Sequence, residues 1–180
     1  MKAELKAKFL QHLNQKKKDE GFTLIELLVV IIIIGILSAI ALPSFLNQAN
    51  KGKQSEAKTY VGSLNRGQQA YFLENNAFAS TITQVGIGIQ TQTANYYYNT
   101  VPGGGGTGPN AYTVNFSSVV SSAPLRNYGG KVYISTTGSS SDATSLAFLC
   151  ESTAAGGNAN NDLAPSTVTS CPSNWNQLGK

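Results

Sequence analysis

The stretch that decides the fold is residues 22–42, which read FTLIELLVVIIIIGILSAIAL. From Leu27 to Leu42 it contains no charged residue. About 20 residues in a helix, at roughly 1.5 Å per residue, cross a bilayer core of about 30 Å. A surface helix of a globular domain would present one polar face, and this stretch presents none. The sequence therefore predicts a membrane-inserted helix.

The residues on either side of this stretch predict its orientation. Lys16, Lys17 and Lys18 come just before it, whereas only Lys51 and Lys53 lie within the first turns after it. Because cytoplasmic flanks carry the excess of lysine and arginine, the N-terminus is predicted in the cytoplasm and the chain from about residue 45 onward outside.

Composition narrows the class of protein further. The 180 residues carry a formal net charge of +4, of which the first 21 residues contribute +3 and the remainder +1. The basic character therefore belongs to the leader and gives no warrant for a nucleic-acid-binding surface elsewhere. Only 12% of the residues are charged, which favours an extracellular, loop-rich β domain over a cytosolic enzyme.

Glu26 is an acidic residue inside the apolar run. A carboxylate at the centre of a membrane helix costs about 2.5–3.5 kcal/mol on insertion scales, and less near the interface. The residues alone leave two interpretations open. Cleavage after Gly21 would create a positive α-amine on Phe22, which Glu26 of a neighbouring subunit could neutralise. Alternatively, Glu26 lies one turn inside the helix and simply reaches the lipid headgroups.

Two other classes of N-terminal segment explain these features less well. An ordinary secretory signal peptide needs small residues at a cleavage site after the apolar run, and only residues 38–41 fit, weakly. Its basic region would also be shorter and less polar than the first 20 residues. A plain single-pass anchor gives no reason for Glu26.

Residues 21–30, GFTLIELLVV, resemble the class III signal sequence of type IV pilins and the related pseudopilins. The resemblance implies that a membrane prepilin peptidase cleaves between Gly21 and Phe22 and methylates the new amine of Phe22. Glu26 then stands where the family carries its assembly glutamate, and Pro43 where the family also has proline.

The leader of 21 residues is longer than that of the typical short-leader pilins. That length, the initial Phe22 and residues 66–75, RGQQAYFLEN, are together similar to cyanobacterial major pilins.

The resemblance also implies a function and partners. It implies a structural subunit that is not an enzyme, has no catalytic residue and needs no cofactor. The processed chain would reside in the inner membrane, and an assembly platform with its ATPases would move it into a self-associating helical filament. The resulting extracellular pilus would serve motility, adhesion to surfaces or DNA uptake.

Two alternative functions remain open. One is a pseudopilin of a type II-like secretion system, and the other is a single-pass membrane-anchored binding module. Major pseudopilins usually carry a calcium-binding head without a C-terminal disulfide. The acidic residues here that could serve such a site, Asp142, Glu151 and Asp162, are scattered along the chain.

Gly35 and Pro43 mark a weak segment of the predicted helix. Proline removes one backbone hydrogen bond and clashes with the carbonyl four residues earlier, that of Ala39. A static kink is the simplest interpretation. The family resemblance implies more, namely partial unwinding between these two residues when subunits pack into a filament.

Beyond Pro43 the pattern becomes amphipathic. Apolar residues recur at helical spacings of three, four and seven up to a predicted helix end near Asn75; they are Ala57, Tyr60, Val61, Leu64, Tyr71 and Phe72. The predicted organisation is a cleaved leader, a membrane and assembly half of the helix, an amphipathic half and a β-rich head, at residues 1–21, 22–43, 44–75 and 76–180.

The head is predicted to contain four strands separated by turn-rich stretches. The strands are expected at Tyr96–Val101, Ala111–Val120, Lys131–Thr137 and Leu146–Glu151, and the turns at residues 102–109, 127–130 and 138–142. Short strands joined in this way favour an antiparallel meander that buries one face on the helix at residues 57–72. The fold class is therefore α+β, and the resemblance implies the type IV pilin fold.

Cys150 and Cys171 are the two cysteines of the chain. An even pair in an exported domain predicts a disulfide, here closing a loop of about 20 residues, and two unpaired buried thiols are the alternative. Two cysteines and one distant histidine cannot complete a tetrahedral metal site, so no metal is expected.

Overall fold

The computed structural model describes most of the chain outside the N-terminal leader. The described residues are 4, 6, 8, 21–120, 124–136, 143–156, 158–164 and 167–179. Most of the predicted leader and all of the predicted turn at residues 138–142 therefore lie outside them. The chain divides into two compact units, residues 1–46 and 47–180.

Helix α1 spans Leu24–Asn75 and contains Pro43 in its interior. It ends where the sequence predicts, because Asn76 adopts a left-handed conformation with φ of 51°. The backbone N–H of Asn76 still donates to the carbonyl of Phe72 at 2.8 Å, which satisfies one of the last carbonyls of the helix.

The N-terminal unit contributes the apolar part of α1. Every large apolar side chain from Phe22 to Leu46 exposes at least 45% of its surface. By length and composition this helix could cross a membrane. In water such a surface would be strongly unfavourable, so it requires lipid or another protein around it.

The head contains a five-stranded antiparallel sheet in the order β1-β2-β3-β4-β5. Its strands are β1 Tyr96–Gly103, β2 Tyr112–Val119, β3 Arg126–Thr136, β4 Ala143–Ala155 and β5 Trp175–Leu178. Two short helices, α2 at Ile82–Val85 and α3 at Ala159–Leu163, complete the unit. The α+β class, with a long helix and an antiparallel meander, is confirmed.

One face of the sheet packs on the second half of α1. Strand β1 alternates buried and exposed residues, so that Tyr96 and Tyr98 are buried while Tyr97 between them is half exposed. The buried rings join Val61 and Leu64 of α1 in one core cluster. The prediction that this strand buries alternate tyrosines against the helix is confirmed.

The opposite face of the sheet is covered by the chain that follows β4. Helix α3 contributes Ala159 and Leu163 to a second core cluster, with Phe148 of β4 and Trp175 of β5. Asn158 caps this short helix through its side chain, which accepts a hydrogen bond from the N–H of Asn161. The head therefore has three layers, with the sheet in the middle.

A disulfide between Cys150 and Cys171 closes this third layer, with 5.8 Å between the two Cα atoms. Cys150 lies in β4 and is fully buried, and Cys171 comes after α3. The predicted disulfide is therefore present, and it holds the segment after α3 to the sheet.

The predicted turn at residues 127–130 is wrong, because β3 begins at Arg126 and runs through it. Gly129 and Gly130 serve close packing here. A Cβ on Gly129 would collide with Ala159 of α3, and a Cβ on Gly130 would collide with the carboxamide of Asn65 on α1. Strand β5 and both short helices were absent from the prediction, and β4 is longer than predicted.

Candidate functional site

The sequence-predicted site residues fall in two regions. Gly21, Phe22, Glu26, Gly35 and Pro43 all belong to the N-terminal unit, which extends to residue 46. The disulfide belongs to the head and stabilises it. The candidate site for assembly is therefore the start of α1, where the first three of these residues lie within six positions.

Glu26 is held by a reciprocal capping box with Thr23. The backbone N–H and the hydroxyl of Thr23 both donate to Oε2 of Glu26, each at 2.8 Å. The N–H of Glu26 donates in return to the Thr23 hydroxyl at 3.3 Å. The carbonyl of Thr23 accepts the first helical bond, from Leu27 at 3.3 Å. The sequence analysis missed Thr23, although the spacing Thr-x-x-Glu before an apolar run is a known N-terminus signal.

This arrangement positions the carboxylate for an external partner. Both bonds from Thr23 end on Oε2, and within the described residues Oε1 accepts no hydrogen bond. The first turn of a helix carries a partial positive charge, which favours an acidic side chain there. The carboxylate is thus oriented at the helix start with one oxygen available to a cation.

The peptide bond between Gly21 and Phe22 lies outside the helix. Neither residue is helical, and both are exposed, Phe22 to 84%. Nothing lies within 4 Å of the position a Cβ of Gly21 would occupy. A protease can therefore reach this bond without first unwinding α1.

Helix α1 continues without a break from Gly35 through Pro43. Pro43 has no N–H, so the carbonyl of Ala39 loses its helical donor. A Cβ at Gly35 would meet no atom within 4 Å, so this face of the helix is open to close approach by another chain.

The head contains a buried polar network that the sequence analysis also missed. Asn65 of α1 donates to the carbonyl of Phe148 at 3.0 Å and accepts from Asn115 of β2 at 2.8 Å. Gln68 donates to Thr100 at 2.8 Å and accepts from the N–H of Ala79 at 2.9 Å. Asn65 and Gln68 continue the spacing of Val61 and Leu64, and this was the only available signal. These bonds fix α1 on the sheet.

Several titratable side chains of the head are shifted by burial. Burial lowers the pKa of Lys131 to about 8, although its ammonium donates to the carbonyl of Val168 at 3.0 Å. The same ammonium lies 4.4 Å from the ring centroid of Tyr112, a cation–π distance. Burial raises the pKa of Tyr96 to about 12, with the charge of Glu56 adding to the effect. Lys131 thus links the sheet to the third layer.

No set of three or more histidine, cysteine or acidic side chains capable of holding a metal occurs among the described residues.

Comparison with known families identifies this class of protein. The family described as Type IV pilin-like G and H matches residues 54–172, about two thirds of the chain. The prokaryotic N-terminal methylation motif matches residues 16–42. The chain belongs to the type IV pilin-like family, whose members are structural and non-enzymatic subunits.

Individual relatives include both pilins and secretion proteins. The type IV major pilin protein PilA of Myxococcus xanthus is 43% identical over 70 residues, which cover 39% of this chain and 32% of that protein. The type II secretion system core protein G of Aeromonas hydrophila is 36% identical over 67 residues, covering 37% and 47%. The type IV wide pilus major component PilA4 of Thermus thermophilus is 32% identical over 86 residues, covering 47% and 66%.

The matched part of the chain thus spans between about a third and two thirds of the length of these relatives. No solved structure matches the chain significantly.

Proposed function

We propose that this chain is the precursor of the major subunit of a type IV pilus. The observation that carries the proposal is the capping box, which holds Glu26 at the start of an exposed apolar helix, immediately after an accessible Gly21–Phe22 bond. A plain membrane anchor needs neither an oriented carboxylate nor a bond open to proteolysis at that position.

The first step is processing in the inner membrane. Residues 1–21 act as the leader, and prepilin peptidase removes it by hydrolysing the bond between Gly21 and Phe22. The methylation motif that matches residues 16–42 supports methylation of the new amine. The amine remains protonated after methylation, so it carries a positive charge at the start of residues 22–43, the membrane and assembly half of α1.

The second step is assembly into the filament. The protonated amine of one subunit pairs with the available Oε1 of Glu26 in the next subunit, which neutralises both charges in an apolar environment. Gly35 and Pro43 let the helix between them lose part of its regular structure as neighbouring stems pack. The amphipathic half, residues 44–75, carries the head of residues 76–180 on the filament surface.

A pseudopilin of a secretion system is the second candidate, because several relatives are core proteins G of such systems. Two features of the head favour the pilin. The disulfide closes its C-terminal loop. Of the acidic residues expected for a calcium site, Glu151 is bound to Arg126 at 3.4 Å and Asp162 to the indole N–H of Trp175 at 2.7 Å, so neither converges on a common site.

Intact-mass analysis of the exported chain, followed by electron microscopy of sheared surface filaments, tests the proposal. We expect a chain that begins at N-methylated Phe22 and is the main protein of long surface filaments. A mass that retains residues 1–21 would contradict processing. A processed chain that is absent from long filaments would favour the pseudopilin. Motility, adhesion and DNA uptake can then be assigned by deleting the chain and measuring each activity.

A further inference from the structure

A polar pocket of about 250 Å³ lies in the head beside the beginning of its helical part. Four of its residues are spaced by three, four and seven along α1 and so share one helix face. They are Lys51, Gln54, Ser55 and Lys58, and the opposite wall is formed by Tyr128, Glu151 and Leu178.

The balance of charge in this pocket is positive. Within the described residues neither Lys51 nor Lys58 lies within 4.0 Å of a carboxylate. The one acidic wall residue, Glu151, is already engaged, since it pairs with Arg126 at 3.4 Å and accepts the hydroxyl of Tyr128 at 2.9 Å. Two ammonium groups therefore face the pocket without a partner of opposite charge.

The donors that line the pocket suit a tetrahedral oxyanion. Two ammonium groups, the carboxamide of Gln54 and the hydroxyl of Ser55 offer several N–H and O–H donors from one helix face. Phosphate oxygens accept such bonds strongly, and charge on the donor strengthens them further. A neutral sugar or an apolar peptide would leave both ammonium groups unsatisfied.

The position of the pocket along the chain indicates where the phosphate comes from. Lys51 follows Leu46, the last residue of the exposed apolar stretch, by only five positions. In a chain that is inserted in the membrane through that stretch, the residues just after it enter the headgroup layer. Basic residues next to a membrane segment interact with anionic headgroups.

We propose that this pocket binds the phosphate of a phospholipid headgroup while the subunit waits in the membrane. The inference rests on the membrane-inserted stage of the proposed function. The bound lipid fixes the depth of the subunit, and it must be released when the subunit moves into the filament. The pocket thereby adds a lipid-dependent step before assembly.

The test uses the full chain, solubilised from membranes in mild detergent and analysed by native mass spectrometry. The two probes are phosphatidylglycerol and monogalactosyl diacylglycerol, which lacks phosphate. The altered protein carries Lys51→Gln together with Lys58→Gln. Lys53→Gln is the matched control, because it removes the same charge two positions from Lys51 and off the pocket face.

We expect the unaltered chain and the Lys53→Gln control to retain phosphatidylglycerol in preference to the galactolipid. Each lysine at an anionic surface contributes about fivefold, so the double variant should lose this preference by roughly 30-fold. The melting temperature of the head should not change, because both lysines are exposed.

Other outcomes would overturn the inference. Equal retention in all three proteins would mean that the apolar helix alone binds lipid, and equal loss in Lys53→Gln and the double variant would mean a diffuse charge effect. Displacement of the lipid by inorganic phosphate at constant ionic strength would assign the pocket to soluble phosphate. Unchanged lipid retention with loss of filaments would make it a contact between subunits. In every case, intact mass and filament microscopy test the proposed function separately.

Discussion

The two units of this chain obtain their stability in different ways. In residues 22–46, every large apolar side chain is exposed to at least 45%, and the helix contacts no other part of its own unit. In the head, Val61 and Leu64 are completely buried, and a disulfide closes the third layer. The first unit therefore depends on lipid or on other copies of the chain, whereas the head is stabilised by its own contacts. Substitutions in the two units should have separate consequences.

The largest effect is expected from Glu26→Ala. This change leaves the positive amine of a neighbouring subunit unpaired in an apolar environment, and removing one member of a buried ion pair costs about 3–5 kcal/mol, or roughly 100-fold or more in assembly. The yield of sheared filaments measures the effect. Processing at Gly21 and the melting temperature of the head should not change.

Glu74→Ala is the matched control, because it removes an exposed carboxylate near the other end of α1. Its filament yield should equal that of the unaltered chain. Normal filaments in Glu26→Ala would end the proposed role of the carboxylate.

The second largest effect is expected in the head, from replacing both Cys150 and Cys171 with serine. The bond spans a sequence separation of 21 residues. A loop of that size contributes about 3 kcal/mol in the chain-entropy model, so the head should melt at a distinctly lower temperature. Thermal unfolding followed by near-ultraviolet circular dichroism measures this. Membrane insertion should be unaffected, and a head that melts as before would contradict the structural role of the bond.

Much of this division could be predicted from sequence, because some signals are local. The uncharged run from Leu27 to Leu42 needs no tertiary information, since length and composition alone fit a bilayer. The alternation at Tyr96, Tyr97 and Tyr98 likewise identifies a half-buried strand. Thr23 was also accessible from sequence, because the capping-box spacing is a local pattern.

Other features depend on partners that are distant in sequence. Gly129 and Gly130 resemble a turn, and only the presence of Ala159 and Asn65 against them explains why they lie inside β3. Strand β5 contains Asn176 and Gln177 at its centre, so its composition does not predict a strand, and it forms by pairing with β4. Tertiary packing overrides local preference at these positions.

A smaller effect is expected from Gly130→Ala. The new methyl group would collide with the carboxamide of Asn65, whose bonds to Phe148 and Asn115 fix α1 on the sheet. Overpacking of this kind costs about 1–3 kcal/mol, so denaturant unfolding should show a reduced free energy of unfolding for the head.

The matched control is Gly62→Ala in α1, where the new Cβ meets Leu149 at an ordinary 3.7 Å. There the gain in helix propensity, up to about 1 kcal/mol, should stabilise the head. If both variants had the same effect, the close packing at Gly130 would not be the cause.

The smallest effect is a pH dependence from Lys131. Burial lowers its pKa to about 8 in the folded head, whereas an unfolded lysine titrates near 10.4. Between these values the unfolded state binds more protons, so the free energy of unfolding should rise with pH from about 8 upward. Denaturant unfolding between about pH 7.5 and 9.5 measures the slope, below the range where tyrosines ionise.

Lys131→Met is the control for this titration. It preserves most of the volume without the charge, so its slope over the same pH range should be smaller. An identical slope in the two proteins would assign the pH dependence to other groups.

The most direct test of the account is a filament structure by cryo-electron microscopy that resolves the start of α1. We predict that the amine of Phe22 in one subunit lies within about 4 Å of the Glu26 carboxylate of a neighbouring subunit, the distance of an ion pair. We also predict that Thr23 still donates to that carboxylate. A filament in which Glu26 binds only its own Thr23, with every neighbouring amine well beyond that distance, would contradict the account.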